Sequence, residues 1–277
     1  MGDAIGQNIA PASLQACAVR VLLAAGADEK TTAVDHAESA IKTSTVISEP
    51  NDQGPPRRPG RPARPLLVDP TKTPRRSFGS VEGRASLIHA IGHIEFNAIN
   101  LAFDMAARFG GEIGDLGLDP YQFYRDWFSV GVDEARHFRM IAGRLEALGY
   151  QYGDFAAHNG LWDAAEDTGE NLLARLVVAP LILEARGLDV TPMMIKRLEA
   201  QADTHSAEIL AVILQEEVAH VACGKLWFDQ VCGAKGLDPL ETFHGLKQDY
   251  FKGRQKPPFN HDARQRAGLE PAYYERK

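Results

Sequence analysis

The stretch DEARHF, residues 133–138, sets Glu134 and His137 three positions apart in a segment otherwise rich in tryptophan, valine, phenylalanine and isoleucine. Positions three and four apart share one face of a helix. Here that face reads Tyr124, Trp127, Val130, Glu134, His137, Ile141, Leu145: apolar throughout, except for one acid and one imidazole. The stretch EEVAH, residues 216–220, repeats the arrangement within Ile209, Ile213, Glu217, His220, Gly224, Trp227. Two predicted helices therefore each turn a Glu-x-x-His pair inward near mid-length.

Working outward, the 3.6-residue period predicts a first long helix over 81–109, stopping at Gly110-Gly111. A second starts at Asp119-Pro120 and ends before Gly149. A third spans 161–187 with Pro180 inside it, and Thr191-Pro192 is expected to begin a short connecting helix. A fourth spans 204–232 and ends at Gly233. The first carries Glu95 on the face of Ile88, Ile91, Ala98 and Ile99; the third carries Glu184 beyond Leu173, Val177 and Leu181. Neither strand alternation nor a solenoid repeat is evident. The fold class expected is all-α: a four-helix bundle over 80–235. An N-terminal part, 1–79, holds one amphipathic helix capped by Ser13 and then an extended Pro/Arg-rich arm. A C-terminal part, 236–277, holds one short helix and a tail.

Four glutamates and two histidines thus face one core. A buried ionised carboxylate costs several kcal/mol unless it is paired or binds a metal. Two imidazoles do not neutralise four acids; two divalent cations do. One Glu from each of two helices, with Glu-x-x-His from the other two, is the ligand set of carboxylate-bridged dinuclear sites in ferritin-like bundles. The expected metal ligands are Glu95, Glu134, His137, Glu184, Glu217 and His220, in that chain order. The same six form the expected catalytic centre, with two Fe ions (or Mn/Fe) and dioxygen as co-substrate.

The segments GRPARPLLVDPTKTPRR, GRASLIHAIGHIEFNAINLA, FYRDWFSVGVDEARHFRM, YGDFAAHNGLWDAAEDT, LEARGLDVTP and EEVAHVACGKLWF resemble the bacterial ferritin-like family labelled domain of unknown function 455, over about residues 55–262. The resemblance implies a ferritin-like bundle with a dinuclear site at the six residues above; it implies no reaction. More distantly, the pattern is similar to di-iron hydroxylases, including those that modify tRNA, and to rubrerythrins.

Composition bounds the rest. The chain has 277 residues, 44% hydrophobic and 24% charged, with net charge −7. Cys17, Cys223 and Cys232 form no Cys-x-x-Cys pair and no disulfide framework. No apolar run has membrane-helix length, and no signal-peptide layout opens the chain, so a cytoplasmic protein is expected. The arm carries Arg57, Arg58, Arg61, Arg64, Lys72, Arg75 and Arg76. It is read as wrapping the bundle rather than binding RNA phosphates, because few aromatics interleave for base stacking.

Other polar residues receive duller readings. His89 and His93 are expected to contact the arm or to support ligands, Glu216 to be solvated or to support a ligand, and Glu170 to be a polar helix end. Tyr124 and Cys223 are read as core. Pro180 is expected to kink its helix. Gly92, Gly131, Ala135 and Gly224 either leave room for substrate or let helices approach. The leading functional expectation is an enzyme that oxidises or hydroxylates a small organic molecule with an external electron donor. Bundles of this kind often pair as homodimers. The alternatives are metal handling or peroxide defence, and RNA modification through the arm. Missing Cys-x-x-Cys pairs and the long N-terminal part favour the enzyme.

Overall fold

In the computed structural model, residues 13–74 and 77–275 are described, and the regular structure among them is helical apart from one isolated parallel bridge, Leu67 to Ala157. The fold class is all-α. The main helices are α1 (Leu14–Leu23), α2 (Ala27–Thr43), α3 (Val81–Asp115), α4 (Pro120–Ala147), α5 (Gly160–Asp167), α6 (Leu172–Val178), α7 (Ala185–Glu199), α8 (Thr204–Lys235) and α9 (Pro239–Tyr250). Two short helices, α10 (His261–Arg266) and α11 (Pro271–Tyr274), follow. A π-helical segment, Ala179–Glu184, joins α6 to α7.

Polar caps fix the starts. The Ser13 hydroxyl accepts from the Ala16 amide, Ser80 from Gly83, Asp119 from Tyr121 and Gln122, Asn171 from Ala174, and Asp203 from Ser206. Each satisfies amides that a helix cannot bond internally.

Several boundaries differ from those the sequence predicts. Helix α3 continues through Gly110-Gly111 to Asp115. A helical glycine costs only about 1 kcal/mol relative to alanine, and at Gly110 a side chain would collide with the Tyr124 ring. Helix α8 ends at Gly236, in the left-handed region with φ 66°, not at Gly233. Pro192 starts no new helix; it lies inside α7. The carbonyl four residues earlier, Leu188, instead accepts from the Asn260 side chain at 3.1 Å, so nothing is left unpaired. Helix α2 was not expected, because most of its positions are polar; Ala33, Val34 and Ala37 supply its narrow apolar stripe. The tail adds α10 and α11 to the one short helix predicted there.

Helix α3 packs along α4, α4 meets α8, and α8 packs on α6, the π segment and α7; α1 and α2 cover α3 and α4. The apolar core among the described residues falls into two large bodies and a small third one of Leu101, Trp162 and Ala165. The first large body includes Ile88, Ile91, Ile141, Leu145, Leu210 and Ile213; the second includes Phe96, Phe103, Ala135, Phe138, Val221 and Trp227. In α3 and α8 the charged side chains of the candidate site lie between them in sequence; in α4, Glu134 and His137 alternate with Ala135 and Phe138 of the second body.

Two buried ion pairs tie the periphery on. Arg175 Nη1 on α6 lies 2.5 Å from Asp104 Oδ2 on α3, and Arg264 on α10 grips Asp189 of α7 with both Nε (2.8 Å) and Nη2 (2.7 Å). The Pro/Arg-rich segment lies against the helices. The Gly60 amide donates to Leu22 O at 2.7 Å, Arg108 donates to Pro56 O at 3.0 Å, and Arg58 Nε pairs with Glu166 of α5 at 2.6 Å. Arg75 and Arg76 lie outside the described residues. Among the described residues no helix is long and apolar enough to cross a membrane.

Candidate metal centre

The stripes of α3, α4 and α8 deliver Glu95, Glu134, His137 and Glu217 to one place: one ligand atom from each lies within 4.8 Å of the others. Glu134 sits between the two imidazoles, with His137 Nδ1 3.4 Å from one oxygen and His220 Nδ1 3.0 Å from the other. Glu95 Oε2 is 3.2 Å from His137 Nδ1, and Glu217 Oε2 is 3.6 Å from His220 Nδ1. His220 therefore joins the quartet through Glu134 and Glu217. Glu184 stands beside it, bordering one cavity with Glu95, Glu134 and Glu217. It is the last residue of the π segment.

That segment takes up the break that Pro180 makes in the helical hydrogen-bond ladder. The expected kink takes the form of a π turn, a feature common at functional sites. Gly224 on α8 faces it, and a side chain there would strike the Pro180 ring. Gly131 likewise faces Phe103, and a Cβ on Gly92 would lie 2.7 Å from Ile141. These small residues let helices approach; they do not open space for substrate.

The site holds polar atoms whose hydrogen bonding among the described residues is incomplete. Both oxygens of Glu134, one each of Glu184 and Glu217, and Nδ1 of His220 are buried without a well-aligned hydrogen bond, although the imidazoles lie 3.0–3.4 Å from Glu134. Burial pushes Glu95 well above the usual carboxylate range, with Glu134 and Glu217 adding to it. Burial, then Glu217 and Glu134, raises Glu184 to about 8. Burial also raises Glu217. Burial pushes Glu134 up as well, but the two imidazoles outweigh it and hold this carboxyl low. Burial opposes charge on both histidines; the surrounding carboxylates overcome it, taking His137 to about 11 and His220 well above its ordinary value. Without a cation the cluster retains protons to limit its own repulsion.

The sequence reading gave no role to Asp133 and Arg136. Each imidazole turns Nδ1 to the cluster and Nε2 to an acid on the other helix: His137 to Glu216 of α8 at 2.7 Å, His220 to Asp133 of α4 at 3.4 Å. Arg136 Nη2 clamps both acids, each at 2.7 Å. Glu216 thus supports a histidine rather than being merely solvated. Both acids directly precede an inward glutamate, the one signal that could have flagged them. Such partners orient metal-binding imidazoles and fix their tautomers.

The remaining candidates lie elsewhere. His93 Nδ1 is 2.9 Å from Tyr152 Oη and its Nε2 3.1 Å from His158 O, while His89 Nε2 accepts from the Gly153 amide at 2.9 Å. Both hold the loop after α4, and His93 also borders a cavity under the arm with Arg61 and Pro62. Burial lowers His93 to about 4, so it is neutral. Tyr124 is core, its hydroxyl donating to Gln15 at 2.5 Å. Burial raises the Cys223 thiol. Glu170 is exposed, and the cap of α6 is Asn171.

A family model described as Protein of unknown function (DUF455) matches residues 23–275. An uncharacterized protein of Haemophilus influenzae is 42% identical over 208 residues, covering 75% of this chain and 72% of that protein. No solved structure matches the chain.

Proposed function

The chain belongs to the family described as Protein of unknown function (DUF455), and from its site we propose a ferritin-like, dinuclear iron (or Mn/Fe) protein that oxidises or hydroxylates a small organic substrate. The observation that carries this reading is the convergence of buried carboxylates and imidazoles on one point, with more acids than the two histidines can pair. Two divalent cations balance four carboxylates, and hard oxygen donors with imidazole suit iron or manganese.

The four helical bodies, α3, α4, α6 with the π segment and α7, and α8, are read as the ferritin-like bundle. The N-terminal arm and C-terminal tail are read as its covers. Glu134, whose two oxygens face the two histidines, and Glu217 would hold the metals together with both imidazoles. His137 and His220 would each hold one metal through Nδ1, with Glu95 and Glu184 as the outer carboxylates. Bound and reduced, the metals would supply activation of dioxygen, with two electrons from an external donor and two protons consumed as one oxygen atom enters a substrate C–H bond and the other leaves as water. The protein supplies the rest. Glu216 and Asp133 keep each imidazole aimed inward, and Arg136 keeps those two acids charged and in place. Apolar side chains line the cavity on the carboxylate side.

The test is metal content per chain with an optical spectrum before and after reduction and exposure to air. Close to two irons, lost in Glu134→Ala and His220→Ala, is the expected result. Full metal occupancy in both variants, or none in the wild type after reconstitution, would end the proposal.

A further inference from the structure

A cavity of about 180 Å³ opens directly onto the carboxylate side of the cluster. Glu95, Glu134, Glu184 and Glu217 border it; His137 and His220 do not. Its other walls are almost wholly hydrocarbon, including Ile91, Ala98, Val190, Met194, Leu210 and Ile213. Arg186 is the cation in its lining. A second cavity, of about 220 Å³, shares Ile94, Leu183 and Arg186 with the first and reaches the Pro/Arg-rich segment at Thr73 and Pro74. Arg186 therefore stands where the inner chamber meets the outer one. Ile94 is 47% exposed there.

The charge at Arg186 is left over. Its Nη1 donates to the carbonyls of Lys256 (2.7 Å) and Pro258 (3.2 Å), which anchor it to the tail but do not neutralise it. Its nearest acid, Asp189, is 3.4 Å away and is gripped on both oxygens by Arg264. One carboxylate thus serves two guanidinium groups, and one positive charge remains at the constriction.

Resting on the dinuclear reading above, we infer that the inner cavity takes the hydrocarbon part of a small apolar acid, whose carboxylate binds Arg186. An apolar cavity of about 150 Å³ accommodates a benzene ring, so the inner chamber takes a single ring or a short alkyl chain. Pockets of this type bind by apolar walls and are oriented by a few polar groups. The orientation follows from the lining: Arg186, its cation, holds the anionic end at the constriction, and the hydrocarbon end extends along the apolar walls towards the metal ligands. That arrangement offers unactivated C–H bonds, not the polar head, to the site.

The probes are octanoate and 1-octanol, titrated calorimetrically into the full chain, both metal-free and loaded with iron(II) without oxygen. Octanoate is expected to bind once per chain. Arg186→Gln should weaken octanoate at least about tenfold, roughly 1.4 kcal/mol, and leave octanol unchanged. Ala98→Leu and Ile213→Trp fill the chamber and should weaken both probes; Ala98→Leu is the milder change should the tryptophan disturb folding. Absence of octanoate binding at millimolar concentration, or binding indifferent to Arg186→Gln or to Ala98→Leu, overturns the inference. Metal content on the same samples separates the two failures. Two metals without octanoate binding overturns the acid alone, whereas absence of metal overturns the dinuclear reading and with it the orientation argued here.

Discussion

Lys30 offers a prediction whose size follows from its surroundings. It lies on α2 fully buried, its Nζ donating to Val21 O at 2.7 Å and lying 5.5 Å from the centroid of the Phe96 ring. Burial pulls its pKa from the usual 10.5 to about 7. A drop of that size corresponds to roughly 5 kcal/mol. Because the folded value lies below the unfolded one, the charged form is what folding penalises. The cost is complete below about pH 7, shrinks as pH rises towards 10.5, and is absent above it. Lys30→Met keeps the volume and removes the charge, at the expense of stranding the Val21 carbonyl, about 1–3 kcal/mol. At pH 6 the variant should be more stable than wild type by about 2–4 kcal/mol. By pH 10 that advantage should vanish or reverse. Urea unfolding of both proteins across pH 6–10 measures the difference directly. A stability difference independent of pH would refute the claim that Lys30 is desolvated and loses its proton near neutrality.

Three further outcomes test the site and its frame. Glu216→Gln should weaken metal binding about 10–100-fold with an unchanged circular dichroism spectrum, because His137 loses its charged partner; competition with a chromophoric chelator reads this. Arg175→Met leaves Asp104 buried with Arg108 as its one remaining ion-pair partner and should cost about 3–5 kcal/mol in urea unfolding. Metal binding must displace the protons that Glu134 and Glu95 hold on His137, whose value they raise to about 11 against burial. Loading should therefore acidify an unbuffered solution, and apparent affinity should rise with pH across 6–8; a flat profile would contradict the proton inventory of the cluster.

Much of this was legible in the sequence. Helical periodicity is local, so the stripes that carry Glu95, Glu134, His137 and Glu217 inward follow from spacing alone, and the structure brings those four together. The all-α class and the Ser13 cap have the same local origin. What the sequence left open depends on groups far apart in the chain. Pro192 reads as a helix start until Asn260, 72 residues after Leu188 in the chain, takes up the freed Leu188 carbonyl. Gly110 reads as a stop until the Tyr124 ring fills its place. Helix α2 lacks a strong stripe of its own and forms on the surface that α4 and α1 provide. The crossed pairs, Glu216 with His137 and Asp133 with His220, exist only where α4 and α8 face each other at one register. The spare charge of Arg186 likewise depends on Asp189 being shared with Arg264, 75 residues away. Backbone periodicity determines which residues turn inward; only the packed helices decide which of them meet, because partner choice and distance are set by contacts between segments and not by spacing within one.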